Sequence, residues 1–373
     1  MQTSTTPKND LIKSRLHSLD ALRGFDMFWI AGGVALLRVL TKDSASGFLN
    51  ALFVQSQHVQ WAGFHFYDLI FPLFMFISGV AIPFSILTKL EAGTPKKDLV
   101  IKAAKRMVIL IIFGTIYGGL LRDGFENHRL ASVLAQIGIG YFFASLIVIY
   151  VRSFKNWLFW LGGILAGITI LQLFIPVPGI GAGVLTPEGC INGYFDRMFL
   201  PGKIDVYDPE GLLCCVSAIS VTLMGAIAGH FLRQQDTSEK RKLVTLAIIG
   251  AGLIIIAVII SPYYPPIKKC WTATFDILTA GISFLLLALF YQVIDVWGFK
   301  KWAFFFTVIG MNSIFIYMFN ALVNVRYTSN YLLGWPAKLL GESGGQLVIT
   351  TGMIALTWTL LYLMYKKKIF LRV

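Results

Sequence analysis

Five histidines are spread over 373 residues, and one stands where acid–base chemistry would place it: His58 is followed ten residues later by Asp68. A carboxylate bonded to one imidazole nitrogen fixes the tautomer and leaves the other nitrogen as a base or nucleophile. The same pair also makes a plain structural contact, and spacing alone leaves both readings open. Asp208 and Glu210, in Tyr207-Asp208-Pro209-Glu210-Gly211, precede an apolar run. There they favour the positive end of a helix dipole or hold a cationic or polyhydroxy substrate. Asn312 and Ser313, in Gly310-Met311-Asn312-Ser313, interrupt another apolar run; they bond neighbouring helices or line a channel. Asp20, Arg23 and Asp26 recur at i, i+3 and i+6, a spacing that pairs neighbours on one helix or lets the arginine meet an anion. Asp276 either lines a pocket or pairs with Lys268 or Lys269.

The elements that position these groups are membrane helices. The chain is 56% hydrophobic and 14% charged, with a mean hydropathy of +0.72, whereas soluble domains carry about 25% charged residues. A hydrocarbon core of about 30 Å takes about 20 apolar residues per helix. Ten segments qualify: Leu19–Leu40, Phe66–Leu87, Met107–Leu121, Ala131–Val151, Trp157–Ile175, Gly211–Leu232, Leu243–Ser261, Thr272–Ile294, Trp302–Val323 and Gln346–Tyr365. No run of bilayer length alternates polar and apolar residues, which argues against a β-barrel. The expected fold is an all-α polytopic bundle, one transmembrane domain over residues 1–373. Of the 32 Lys and Arg, 22 fall on one side of these spans, so both the 1–18 segment and the 366–373 tail are expected in the cytoplasm. His58, Asp68, Asp208, Glu210 and Asp276 then lie toward the outer face. Arg15, Arg23, Lys102, Lys105 and Arg106 lie at the cytoplasmic ends. The first span carries Asp20, Arg23 and Asp26 without a small-residue cleavage site, so it is expected to be a span rather than a signal peptide. Residues Gly47–Gln57 read as a short helix at the outer interface.

The net charge of +13 fits cytoplasmic Lys/Arg and anionic membrane lipid. Without zinc-finger spacing, an arginine-rich helix or an RNP-type aromatic pattern, nucleic acid is not an expected partner. Cys190, Cys214, Cys215 and Cys270 all fall on the outer half; a disulfide or free thiols in apolar surroundings are both open there. Their spacing matches no metal site, and no metal is expected. Walker, HExxH, GxSxG and dinucleotide motifs are missing from suitable contexts. The lack of an obvious internal repeat weighs against a common secondary transporter, although a carrier or flippase for an amino sugar or lipid-linked glycan would share the polar helix interior.

Four patches, in order, resemble the heparan-α-glucosaminide N-acetyltransferases and their bacterial relatives among the transmembrane acyltransferases. They are Arg15-Leu16-His17-Ser18-Leu19-Asp20-Ala21-Leu22-Arg23-Gly24-Phe25-Asp26; His58-Val59-Gln60-Trp61-Ala62-Gly63 with Asp68-Leu69-Ile70-Phe71-Pro72 and Phe76-Ile77-Ser78-Gly79; Asp208-Pro209-Glu210-Gly211; and Gly310-Met311-Asn312-Ser313 with Ile316-Tyr317. Two positions depart from the family pattern: Trp29-Ile30-Ala31-Gly32-Gly33 has no asparagine, and Gln136 stands where the family usually has arginine. The resemblance implies transfer of an acetyl group from cytoplasmic acetyl-CoA to a glucosamine-type amine of a sugar or glycan on the far side of the membrane. It implies a bacterial inner-membrane location with His58 facing the periplasm, and a homodimer. His58 and Asp68 would carry the chemistry, as general base with its orienting carboxylate or as an acetylated nucleophile. The cations Arg15, Arg23, Lys102, Lys105 and Arg106 would meet the phosphates of CoA. Asp208, Glu210, Asp276, Asn312 and Ser313 would face the acceptor or the tunnel leading to it.

Overall fold

The computed structural model describes residues 16–42, 46–124, 128–202, 204 and 206–371; Arg15 lies outside them. Among these residues the regular elements are helical, and pairing of extended backbone is confined to two isolated bridges. In chain order the main helices are α1 (His17–Thr41), α2 (Gly47–Gln55), α3 (Phe66–Glu91), α4 (Lys96–Tyr117), α5 (Val133–Tyr150), α6 (Phe154–Phe174) and α7 (Ile191–Phe199). They continue with α8 (Leu212–Arg233), α9 (Glu239–Ile260), α10 (Ala273–Val296), α11 (Phe304–Gly310), α12 (Ser313–Leu322), α13 (Val325–Leu339) and α14 (Gly341–Lys366).

Eight of the described helices are long and apolar enough to cross a membrane, and nine if α11 and α12, bent by 72°, form one broken span. The chain is an integral membrane protein. The tally differs from ten because α4 begins at Lys96, well before the Met107 start expected for the third span. Its first half carries Lys96, Lys97, Asp98, Lys102, Lys105 and Arg106, and it ends at Gly118 and Gly119. Lysine and arginine are good helix formers, so the helix extends into charged sequence that hydropathy excludes. The connection expected at 324–345 is also helical: α13 packs along the first half of α14.

Burial separates the helices into layers. α3 and α8 are enclosed on most faces, while α6 and α9 expose most of theirs, as expected of a central pair and a peripheral ring. The central pair meets backbone to backbone. A Cβ at Gly79 would lie 1.9 Å from Thr222 O, and one at Gly225 would lie 2.0 Å from Phe76 O. Small residues allow this approach, and dispersion and close packing hold it in lipid. The same device joins α1 to α11, where a Cβ at Gly24 would lie 1.7 Å from Phe306 O. These contacts set the Asp68 end of α3 against the Glu210 end of α8, and Arg23 against the α11–α12 break.

Candidate active site

Asp68 organises one end of the bundle. It stands in the first turn of α3, where its carboxylate reaches back to the N–H of the N-cap residue His65 (3.2 Å), a capping arrangement that satisfies an orphan donor. The same Oδ2 accepts from Val59 N–H (3.2 Å), while Oδ1 lies 2.7 Å from His58 Nδ1. The sequence-expected pair therefore forms. Asp68 is 2% exposed and His58 50% exposed at the side chain, so the carboxylate is enclosed and the imidazole reaches outward. His58 stacks on Tyr67 with ring centroids 4.4 Å apart, and the Arg38 guanidinium lies 5.7 Å from the Tyr67 ring. Arg38 also donates to Ser56 O at 2.6 Å, tying the His58 loop to α1. With Nδ1 given to Asp68, Nε2 makes no hydrogen bond among the described residues.

A third partner comes from the turn before α10. Lys268 Nζ lies 3.3 Å from Asp68 Oδ1 and 3.2 Å from His58 Nδ1. Burial lowers the pKa of this ammonium, and the Asp68 carboxylate opposes that shift. Its neighbour Lys269 donates to Gln60 O at 2.7 Å and lies over Trp61 and Tyr207. The turn is joined to the histidine loop by Gly63 N–H donating to Pro266 O at 2.9 Å; Gly63 has φ 121°, a conformation that excludes most side chains. Lys268 was expected only as a partner for Asp276. That expectation fails: Asp276 is fully buried and accepts from Ser217 (2.6 Å) and Ser220 (2.9 Å). No local signal marks Lys268, which lies 200 positions from Asp68.

Asp208 and Glu210 are not open carboxylates. Arg129 grips both, donating to the two Asp208 oxygens at 2.7 and 2.5 Å and also to Glu210. Hydrogen bonding to Asp208 pushes the Arg129 pKa up, and burial pushes that of Glu210 up against the pull of Arg129. Glu210 and Lys268 attract one another across the site. The sequence offered a helix dipole or a substrate as partner for these carboxylates; the structure adds Arg129, which lies 79 residues from Asp208.

At the opposite end the predicted cations divide. Arg23 and Arg106 line a cavity of about 450 Å³ with Asp20, Ser78, Gly310 and Ser313. Arg106 and Lys102 line an adjoining one of about 260 Å³ with Lys89. Lys105 is exposed and lines neither. Arg23 pairs with Asp20 at 3.6 Å, whereas Asp26 is fully buried and meets no hydrogen-bond donor among the described residues. Arg106 lies 4.0 Å over Tyr141, and its buried Nε has no partner. Asn312 does not face this cavity. It ties down the tail, donating to Ile369 O (3.1 Å) and accepting from Leu371 N–H (2.9 Å), so that Phe370 and Leu371 form part of the cavity wall.

A second, smaller void lies between the two ends. Phe74, Ser313 and Ile314 line both the 450 Å³ cavity and a narrow apolar one of about 30 Å³, which reaches Tyr317. Tyr317 stacks on Tyr117 at 4.7 Å and interacts electrostatically with Tyr67 and Glu210. Two adjacent voids thus run from the arginines as far as Tyr317, and His58 lines neither. All four cysteines are buried and unpaired, and no group of three or more metal-ligating side chains occurs among the described residues.

Comparison with known proteins bears on the same residues. Residues 15–173, which include Arg23, His58, Asp68 and Arg106, match a family described as a domain of unknown function (DUF5009). Heparan-alpha-glucosaminide N-acetyltransferase of Homo sapiens is 27% identical over 96% of this chain and 60% of its own length. The chain is similar to that protein along nearly the whole of its own length. The Mus musculus protein of the same name is also 27% identical, over 97% of this chain and 62% of its own. The family resemblance read from the four patches is borne out, and the chain spans about 60% of the length of these curated relatives.

Proposed function

We propose that the protein is a transmembrane N-acetyltransferase that takes the acetyl group of acetyl-CoA from the cytoplasmic face and gives it to the amine of a glucosamine-type sugar on the other face. The observation that carries this reading is the oriented His58–Asp68 pair at one end of the bundle, opposite the Arg23–Arg106 cavity whose neighbouring void extends to Tyr317. A carrier would have no use for an oriented imidazole at the far end of an arginine-lined cavity. The names of the homologous proteins support acetyl transfer to an amino sugar.

In this reading Arg23, Arg106 and Lys102 receive the phosphates, where paired guanidinium donors suit phosphate oxygens. Arg106 lines both cavities at this end and so stands where such a ligand would enter. The pantetheine arm passes Phe74, Ser313 and Ile314, an apolar passage that suits its thioester end. His58 Nε2 is the reacting nitrogen. As general base it takes the proton of the acceptor amine while the amine nitrogen bonds to the thioester carbonyl carbon and the C–S bond breaks. As nucleophile it bonds to that carbon first, expels CoA thiolate toward the cytoplasm, and passes the acetyl group to the amine in a second step. Both routes need Asp68 to keep the proton on Nδ1.

The test is thiol release from acetyl-CoA by purified protein given glucosamine. Wild type releases CoA with matching acetylation of the amine, and His58→Ala does not, although it still binds acetyl-CoA. Undiminished release by His58→Ala, or none by wild type that binds acetyl-CoA and glucosamine, refutes the assignment.

A further inference from the structure

We propose that Lys268 is a positioning residue for His58: its ammonium shares Asp68 Oδ1 with the imidazole and thereby keeps the ring neutral, with the Nε2 lone pair available for reaction. This deepens the acetyl-transfer reading and rests on it for its functional meaning.

The geometry gives the roles. At 2.7 Å, His58 Nδ1 and Asp68 Oδ1 need a proton between them, so Nδ1 carries hydrogen, and in the neutral ring Nε2 then carries the lone pair. An ammonium has donors only. Standing 3.2 Å from Nδ1 and 3.3 Å from Oδ1, Lys268 has nothing to gain from an N–H and bonds to the carboxylate. A carboxylate alone favours the imidazolium; a cation beside the ring favours the neutral form. Lys268 offsets the pull of Asp68 without removing the hydrogen bond that orients the ring.

The other charged and titratable groups around the pair are engaged elsewhere. Lys269 is held by Gln60 O beneath Trp61 and Tyr207. Arg38 is bonded to Ser56 and lies over Tyr67, the ring that stacks on His58. The His65 ring bonds Gln57 O at 3.0 Å. Glu210 is bonded to Arg129 and attracts Lys268 from α8. Nor is Lys268 a wandering surface side chain. Its turn is fixed by Ile267 N–H donating to Thr272 Oγ1 at 3.0 Å and Thr272 Oγ1 donating to Pro265 O at 3.0 Å, with Cys270 and Trp271 buried beneath it.

The test reads the ring directly. Diethyl pyrocarbonate acylates neutral imidazole, and the rate of His58 modification, followed by peptide mass spectrometry across pH, gives the midpoint of its titration. In Lys268→Met the midpoint is expected to rise by about one pH unit, the effect of a unit charge at about 3 Å even with water-like screening. Lys268→Arg retains the cation and should leave the midpoint near that of wild type. Lys268→Gln replaces Lys268→Met if the latter does not fold, and His17 in the same digests is the control whose profile must not move. In thiol-release assays Lys268→Met should lose activity on the acid side and recover it at higher pH. An unmoved His58 midpoint in Lys268→Met, or an equal rise in Lys268→Arg, overturns the proposal. The modification assay needs neither acetyl-CoA nor acceptor, so its outcome separates failure of the Lys268 role from failure of the proposed reaction.

Discussion

Asp68→Asn is the sharpest perturbation of the His58 site because it changes one atom type and almost no volume. The native carboxylate receives four donors: His58 Nδ1, Val59 N–H, His65 N–H and Lys268 Nζ. An asparagine has one acceptor oxygen and one amide nitrogen with two donors. If the oxygen serves Val59 and His65, the NH₂ faces His58 Nδ1 and Lys268. The imidazole must then accept at Nδ1, which moves its proton to Nε2 and removes the lone pair at the reacting atom. The ammonium meets another donor. Hydrogen bonds to charged groups contribute about 1.5–3 kcal/mol each; losing the two on Oδ1 should destabilise the protein by about 3 kcal/mol, since partial rearrangement of the half-exposed His58 recovers some of the loss. The rate should fall about 10²–10⁴-fold, the range expected when general-base assistance is lost. Thiol release at saturating acetyl-CoA and thermal unfolding in detergent measure the two effects. Turnover within about threefold of wild type, in a preparation where His58→Ala is inactive, would refute the claim that Asp68 sets the tautomer; the factor is far below the general-base range.

Two further outcomes test the opposite end and the passage between. Arg106→Ala should raise the acetyl-CoA KM about tenfold or more with little change in kcat, the scale of one charge-assisted phosphate contact, while Lys105→Ala changes neither, as its exposed position implies; equal effects from both would remove Arg106 from the site. Ile314→Trp should fill the void of about 30 Å³ that Ile314 lines, leaving acetyl-CoA bound but untransferred; normal transfer would mean that the acetyl group takes another path.

The proposed mechanism uses few of the buried polar groups, and several of the others have visible structural work. Asp276 accepts two serine hydroxyls that join α8 to α10. Asp208 accepts Glu210 N–H at 2.9 Å as well as Arg129, which fixes the approach to α8. Gln136, at the position where the family usually carries arginine, donates to Cys214 O at 3.0 Å. An amide there links α5 to α8 without introducing a charge into the bundle.

Membrane helices were legible in the sequence because the bilayer imposes a length and an apolar content that local composition reports directly. That is why α3, α8 and α10 lie close to their expected bounds, and why α4 does not: hydropathy stops at a charge, whereas a helix does not. The His58–Asp68 pair was also within reach of sequence reasoning, since ten residues and one helix start separate its members. The third partner was not. Lys268 reaches Asp68 across 200 positions, and Arg129 reaches Asp208 across 79. Nothing local distinguishes these cations from others on the same face. Asn312, a polar residue in an apolar run, left helix bonding and channel lining both open; its amide is bonded to the tail at Ile369 and Leu371. The sequence by itself determined where the long apolar helices run and which residue types can perform acid–base chemistry, because both follow from local composition and intrinsic side-chain properties. Only the tertiary structure decided which charges meet, because pairing in a helical bundle depends on close approaches such as Gly79 to Thr222 that bring residues distant in the chain to one end of the fold.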